Sequence, residues 1–118
     1  GKDKRLKKLN YNYMATIELT GKQIEVDSDG NLKNLNDWNE ETASEIAKLE
    51  GIEKLTDRHW LVINFMRKEF IEKGDGPTIR RLTKESGVDT KELYALFPKG
   101  PAKKAARIGG IPKPKGCI

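Results

Sequence analysis

Polar and apolar residues alternate near the start of the regular part of the chain. An apolar side chain occupies every second position in residues 16–20 (TIELT) and in residues 23–26 (QIEV). This is the period of a β-strand with one buried face. Gly21-Lys22 separates the two runs and favours a turn. The pattern predicts a hairpin whose core-facing residues are Ile17, Leu19, Ile24 and Val26.

Helical spacing and helix-end signals fill the rest of the chain. Asn39 and Thr56 are typical N-caps, and Gly51, Gly74 and Gly87 can end helices. We predict five helices, over Glu40–Glu50, Asp57–Lys73, Pro77–Ser86, from Asp89 or Thr90 up to Pro98, and over Pro101–Ile108. The apolar positions assigned to the core of the first two are Ala43, Ile46, Ala47 and Leu49, then Trp60, Val62, Ile63, Met66, Phe70 and Ile71.

These elements predict a mainly helical α+β fold, a small orthogonal helical bundle with an N-terminal β-hairpin. Residues 1–14 are a basic N-terminal extension or a cloning remnant, and residues 15–108 form the domain. Residues 109–118, hereafter the arm, are expected to be a mobile C-terminal segment. Its expected hinges are Gly109, Gly110 and Gly116, and its prolines favour extended backbone. Extended, the arm could reach about 25–30 Å.

Charge is distributed unevenly along the chain. Residues 1–8 carry +4 and residues 99–118 carry +6, which leaves −5 for residues 9–98 when both are taken from the total of +5. The folded body is therefore acidic between two basic ends. No apolar run approaches the length of a membrane span, and we expect no membrane association and a cytoplasmic location.

Cys117 is the only cysteine of the sequence. One cysteine cannot form an internal disulfide, and with one histidine it cannot build a zinc site, so we expect no metal and no cofactor. A thiol near a chain end can enter a cleft of another protein. Nearby cations favour its reactive thiolate, and the residues assigned to support the thiolate or a partner contact are Lys103, Lys104, Arg107, Lys113 and Lys115.

Residues 78–97 have the pattern of a helix-turn-helix, TIRRLTKESGVDTKELYALF. Its basic residues Arg80, Arg81, Lys84 and Lys91 could contact phosphates. Its second helix, however, begins with acidic residues, and an acidic body opposes DNA affinity. We therefore do not expect direct nucleic-acid binding. A helix-turn-helix DNA-binding regulator is kept as an alternative function of a different class. His59, the single histidine, is predicted to pack or to cap a helix.

Four segments together carry a resemblance to the TusE/DsrC sulfur-relay family. They are GKQIEVDSDGNL (21–32), NDWNEE (36–41), LTDRHWLVINFMRKEF (55–70) and LFPKGPAKKAARIGGIPKPKGCI (96–118). The last, with Pro-Lys-Pro and a penultimate cysteine, is the most specific. The resemblance implies a helical domain whose Cys117 accepts a persulfide from a TusBCD- or DsrEFH-like complex. It then passes the sulfur to a tRNA 2-thiolation enzyme, or its arm enters dissimilatory sulfite reductase.

One position departs from the sulfite-reduction branch of that family. Those members carry a second cysteine eleven positions before the penultimate one, where this chain has Ala106. A single thiol can hold a persulfide or a mixed disulfide, but cannot close an intramolecular disulfide or trisulfide. The expected role is thus that of a stoichiometric TusE-like sulfur carrier. If the protein is classed as an enzyme, the class is sulfurtransferase. A partner of sulfite reductase is the alternative.

Overall fold

The computed structural model describes residues 15–115. The predicted extension (1–14) and the last residues of the arm lie outside that range. The elements follow in the order β1 Ala15–Leu19, β2 Lys22–Val26, a short 3-10 helix Leu35–Asp37, α1 Glu40–Leu49, α2 Asp57–Lys73, α3 Ile79–Ser86, α4 Thr90–Leu96 and α5 Pro101–Ile108. The mainly helical α+β prediction is confirmed.

The hairpin pairs β1 with β2 antiparallel, with Ile17 opposite Ile24. Thr20 and Gly21 form the turn at φ of 52° and 78°, the left-handed pair that matches the twist of two-residue hairpins. The predicted turn at Gly21-Lys22 was therefore one residue late. Lys22 instead opens β2 and pairs with Leu19.

Side-chain caps fix where the helices begin. Asn39 and Thr56 are the N-caps of α1 and α2, as predicted, and each forms a capping box. The predicted start of α3 at Pro77 was too early. The side chain of Thr78 accepts a hydrogen bond from the Arg81 backbone N–H, so Thr78 is the N-cap and the helix begins at Ile79.

The core lies where α2 packs against α5 and α3, with α1 and the hairpin closing one side. Two predicted core residues are wrong: Leu49 is 70% exposed and Ile71 is 61% exposed. At about 100° per residue, Leu49 lies about 90° and Ile71 about 145° around its helix from the centre of the buried face. Apolar character alone did not reveal this, because each lies within two residues of a position that does face the core, Ala47 for Leu49 and Phe70 for Ile71.

The bihelical unit of α3 and α4 forms as predicted. Gly87 ends α3 in the left-handed conformation, and Leu82, Val88 and Leu93 are completely buried. His59 holds α4 against α2. Its Nδ1 accepts from the Thr56 backbone N–H at 3.0 Å and its Nε2 donates to the Leu96 carbonyl at 2.9 Å. The predicted packing and capping role of this histidine is confirmed.

Glu69 is a buried acidic residue in α2, 5% exposed. Its carboxylate accepts two hydrogen bonds from the Arg81 guanidinium of α3 and lies 3.4 Å from Lys73 Nζ. The hydrogen bonding to Arg81 lowers the pKa of Glu69, against the opposing effect of burial. This ion pair fixes the position of α3 on α2.

We predict that Glu69→Gln lowers the free energy of unfolding at neutral pH, because the ion pair with Arg81 is lost. The folded-state pKa of Glu69 is depressed, so its contribution is present above the unfolded-state value of about 4.3. It disappears as pH falls through the lower folded-state value. Urea unfolding of both chains at neutral and at strongly acidic pH measures the difference, which should shrink in acid.

The exposed Glu72 of the same helix supplies the control. Glu72→Gln should change stability little at either pH. A Glu69→Gln effect that is as large in acid as at neutral pH would show that the carboxylate charge is not what stabilises the pair.

Candidate functional site

Cys117 and Gly116 lie outside residues 15–115, so the site is described through the chain that leads to them. That chain leaves α5 at Gly109 and is visible through Lys115. Three side chains from distant parts of the sequence hold its first carbonyls. We call them the arm clamp: Asn31, Trp38 and Arg67.

Each clamp residue donates to a backbone carbonyl at the base of the arm. Trp38 Nε1 donates to the Ile108 carbonyl at 2.8 Å, and Arg67 Nη1 donates to the Gly109 carbonyl at 2.7 Å. Asn31 Nδ2 donates to the Ile111 carbonyl at 2.9 Å. The carbonyls of Ile108 and Gly109 lie at the C-terminal end of α5, where a helix leaves acceptors without internal partners.

Arg67 and Trp38 also bind each other. The Arg67 guanidinium carbon lies 3.8 Å from the centre of the Trp38 ring, within cation–π range. Burial lowers the pKa of the Arg67 guanidinium from its ordinary value. A half-buried cation is thus balanced by an aromatic face and by a carbonyl at the start of the arm.

Gly109 and Gly110 are buried, which changes the interpretation of both residues as hinges. A Cβ at Gly109 would lie 3.0 Å from the Ala105 carbonyl oxygen, and one at Gly110 would lie 2.5 Å from Trp38 Cδ1. Gly110 also has a φ of 69°. In this conformation the absence of side chains at both glycines allows close packing. The chain was expected to leave the body at Gly109, but it stays packed on the body there.

The arm stays on the body beyond these glycines. Ile111 is completely buried, and Pro114 is buried against Gly76 in the loop between α2 and α3. The Lys115 backbone N–H donates to Asp75 Oδ1 at 3.1 Å. From Lys115 to Cys117 the extended chain spans only about 7 Å. In the described conformation the covalent reach of the thiol is therefore short and begins at the α2–α3 loop.

The predicted basic residues separate into three groups. Arg107 is occupied within the body: its guanidinium binds the Glu50 carboxylate at 2.9 Å, Asn31 Oδ1 at 3.3 Å and the Asp29 carbonyl. The predicted role of Arg107 in supporting the thiolate or a partner contact stays a prediction. Lys113 and Lys115 are exposed on the arm.

The other two predicted lysines border a separate depression of about 150 Å³ along one side of α5. We call it the α5 patch, and its residues are Glu50, Lys99, Lys103, Lys104 and Arg107. Lys104 Nζ donates to the Glu50 carbonyl at 3.3 Å, whereas Lys103 is exposed. The α5 patch runs along α5, from Lys99 just before the helix to Arg107 in its last turn.

Sequence reasoning missed the arm clamp and the Asp75–Gly76 contact. The three residues of the arm clamp come from separate parts of the fold. Their partners lie 42 to 80 residues away in the chain, so no local pattern connects them. Within residues 15–115 no group of three metal-ligating side chains comes together, and none of the helices there is long and apolar enough to cross a membrane.

We predict that Gly76→Ala displaces the docked arm and leaves the domain folded. A Cβ at residue 76 would lie 2.9 Å from Pro114 Cγ, and Gly76 does not require a left-handed backbone. Hydrogen exchange at the Lys115 amide should become faster, because its bond to Asp75 is lost. Unchanged exchange at Lys115 with a native helix spectrum would contradict this.

Gly110→Ala should lower stability by about 2–4 kcal/mol, because it combines a positive φ with a clash against Trp38. Gly51→Ala is the matched control, since Gly51 also has a positive φ but nothing lies within 4 Å of its added Cβ. Its cost should stay near about 1 kcal/mol. Equal losses in denaturant unfolding would mean that the Trp38 contact does not constrain residue 110.

Comparison with known proteins places this geometry in one family. A family model described as DsrC like protein matches residues 18–118. The dissimilatory-type sulfite reductase subunit gamma of Nitratidesulfovibrio vulgaris is 39% identical over 105 residues, covering 89% of this chain and 100% of that protein. Sulfurtransferase TusE of Photorhabdus laumondii is 45% identical over 112 residues, covering 89% and 100%.

Solved structures agree with the sequence relatives. The solution structure of Allochromatium vinosum DsrC matches with a TM-score of 0.76 and 44% identity, covering 90% of this chain and 100% of that one. A crystal structure of dissimilatory sulfite reductase I includes a chain that matches with a TM-score of 0.78 and 38% identity, covering 88% and 100%. The resemblance inferred from the sequence is confirmed, and this chain belongs to the DsrC family.

Proposed function

We propose that this protein is a sulfur carrier whose Cys117 accepts a persulfide sulfur and passes it to a downstream acceptor. One observation carries the proposal: the sequence has a single cysteine, and the family match extends through it. The relatives named Sulfurtransferase TusE support the same role. The arm clamp contributes by fixing where the chain that bears this thiol begins.

The proposed reaction is thiol–persulfide exchange. The Cys117 thiolate attacks the outer sulfur of a donor persulfide, a new S–S bond forms at Cys117, and the donor leaves as a thiolate. A nucleophile of the acceptor then attacks the outer sulfur, and the Cys117 thiolate is released. Sulfur moves without net oxidation or reduction of the carrier. Because there is one thiol, each protein molecule carries one sulfur atom at a time and acts as a stoichiometric carrier.

A single thiol separates this role from the alternative one. Ala106 stands where the sulfite-reduction branch has its second cysteine, and it is completely buried on α5. This chain cannot form the internal disulfide or trisulfide which that branch would require. Partnership with a sulfite reductase is kept as the second candidate, because one relative is named as its gamma subunit. Co-purification with a sirohaem protein would support it.

The partners follow from the proposed role. The donor would be a TusBCD- or DsrEFH-like complex, and the acceptor a tRNA 2-thiolation enzyme or another sulfur-accepting protein. Since persulfide relay depends on a thiol that stays reduced between transfers, we place the relay in the cytoplasm. Neither a metal nor a cofactor enters the exchange.

Incubation of the protein with a small-molecule persulfide donor should add one sulfur atom, about 32 Da, to the intact mass. Treatment with a reducing thiol should remove the added mass, because an S–S bond is reducible. Intact-mass spectrometry of the whole chain measures both steps.

Cys117→Ser is the control and should gain no mass. The absence of an adduct on the native chain would refute the carrier role. An equal adduct on Cys117→Ser would refute it too, because the sulfur would then lie elsewhere.

A further inference from the structure

We propose that the protein which exchanges sulfur with Cys117 docks on the face formed by the exposed side of α3 and the end of the arm, and that it does so through an acidic surface. We call this the α3 basic face; its cations are Arg80, Lys84, Lys113 and Lys115. The proposal rests on the carrier function and names the surface and the kind of partner that the function requires.

The first argument is the position of the arm. Pro114 packs on Gly76, two residues before the Thr78 N-cap of α3, and Lys115 is bonded to Asp75. With about 7 Å of covalent reach beyond Lys115, a partner that approaches the thiol of the docked arm must cover the α2–α3 loop. The surface beside that loop is the first turn of α3.

The second argument is the charge of that surface. Arg81 is held by Glu69 and fixes α3 in place, whereas Arg80 and Lys84 are exposed. Neither Arg80 nor Lys84 forms an ion pair with any side chain in the region from residue 15 to residue 115. They stand four residues apart on one side of α3 and line, with Thr78, Arg81 and Glu85, a depression of about 300 Å³. Lys113 and Lys115 are exposed on the arm, which contacts Asp75 and Gly76 in the loop that leads to Thr78.

The partner chemistry follows from these cations. With Asp75 and Glu85 as the acidic residues of the face, its four cations leave an excess of positive charge on an otherwise acidic body. Complementary acidic groups on a partner would accelerate encounter and orient it. A DNA backbone fits less well, because the N-cap Asp89 and Glu92 in the first turn place acidic side chains at the start of α4.

The α5 patch is the competing surface. It holds more cations than acids as well, but two of its four cations, Lys104 and Arg107, are already bonded to Glu50. The two surfaces allow a matched comparison. Arg80→Glu/Lys84→Glu and Lys99→Glu/Lys103→Glu change the net charge equally and replace residues outside the core.

The test measures thiol–disulfide exchange at the single cysteine. The probe is a short glutamate-rich peptide whose cysteine is activated as a mixed disulfide with thionitrobenzoate, and its counterpart has glutamine in place of glutamate. The Cys117 thiolate attacks the peptide sulfur, a peptide–Cys117 disulfide forms, and the coloured thionitrobenzoate leaves. Its absorbance gives the rate constant for the full-length chain at low and high ionic strength.

At low ionic strength the native chain should react faster with the glutamate peptide than with the glutamine peptide. Arg80→Glu/Lys84→Glu should lower the glutamate rate about tenfold and leave the glutamine rate within about twofold. High salt should remove the difference. Lys99→Glu/Lys103→Glu should have a clearly smaller effect on the glutamate rate.

Two outcomes would overturn the proposal. One is a larger loss for the α5 pair than for the α3 pair, which would assign docking to the α5 patch. The other is an unchanged exchange rate in the α3 pair together with loss of duplex DNA binding, measured by fluorescence anisotropy, which would assign Arg80 and Lys84 to DNA.

The carrier role is tested independently by the mass gain of the native chain with a small-molecule donor. If that gain occurs and the α3 pair exchanges at the native rate, the docking surface is wrong and the carrier stands. If no gain occurs on Cys117, the carrier itself fails.

Discussion

The contact between Arg67 and Trp38 is the constraint on which the functional end of this molecule depends. The guanidinium lies over the indole ring, and each partner also donates a hydrogen bond to a carbonyl at the C-terminal end of α5, of Ile108 or Gly109. A helix end that would otherwise need water or a cap is closed by two side chains from elsewhere in the chain. Because α2 carries Arg67, the longest helix of the domain determines where the arm starts.

Asn31 extends this constraint to the other side of the arm. Its amide nitrogen binds the Ile111 carbonyl, and its amide oxygen accepts from Arg107. Arg107 is in turn held by Glu50 at the end of α1. The base of the arm is thus supported from α1, α2 and the loop after β2, which explains why Ile111 is completely buried although it follows the last helix.

Local signals in the sequence were sufficient for most of the fold. Asn39, Thr56 and Gly74 define helix ends through bonds to residues within four positions, and the bounds of α2 were predicted correctly. The errors came from physical effects that the patterns do not contain. Thr78 competed with Pro77 for the start of α3, and Leu49 and Ile71 are apolar residues on exposed helix faces.

The site was less predictable for the same reason. Cys117 could be singled out because it is unique, and the family resemblance gave it a chemistry, but how the arm is held depends on contacts over 40 or more residues. Gly109 and Gly110 illustrate the difficulty. Glycine is equally suited to bending and to close packing, and only the position of Trp38 distinguishes the two.

The docking of Pro114 on Gly76 also sets the effective concentration of the thiol. A tether of about 7 Å confines it to a far smaller volume than the free arm with a reach of about 25–30 Å, roughly fiftyfold smaller if volume scales as the cube of reach. A partner bound at the right place would meet the sulfur at correspondingly higher local concentration, and one bound elsewhere would scarcely meet it. Selectivity among sulfur acceptors would then arise from the short tether that carries the thiol, with no need for an unusually reactive thiol.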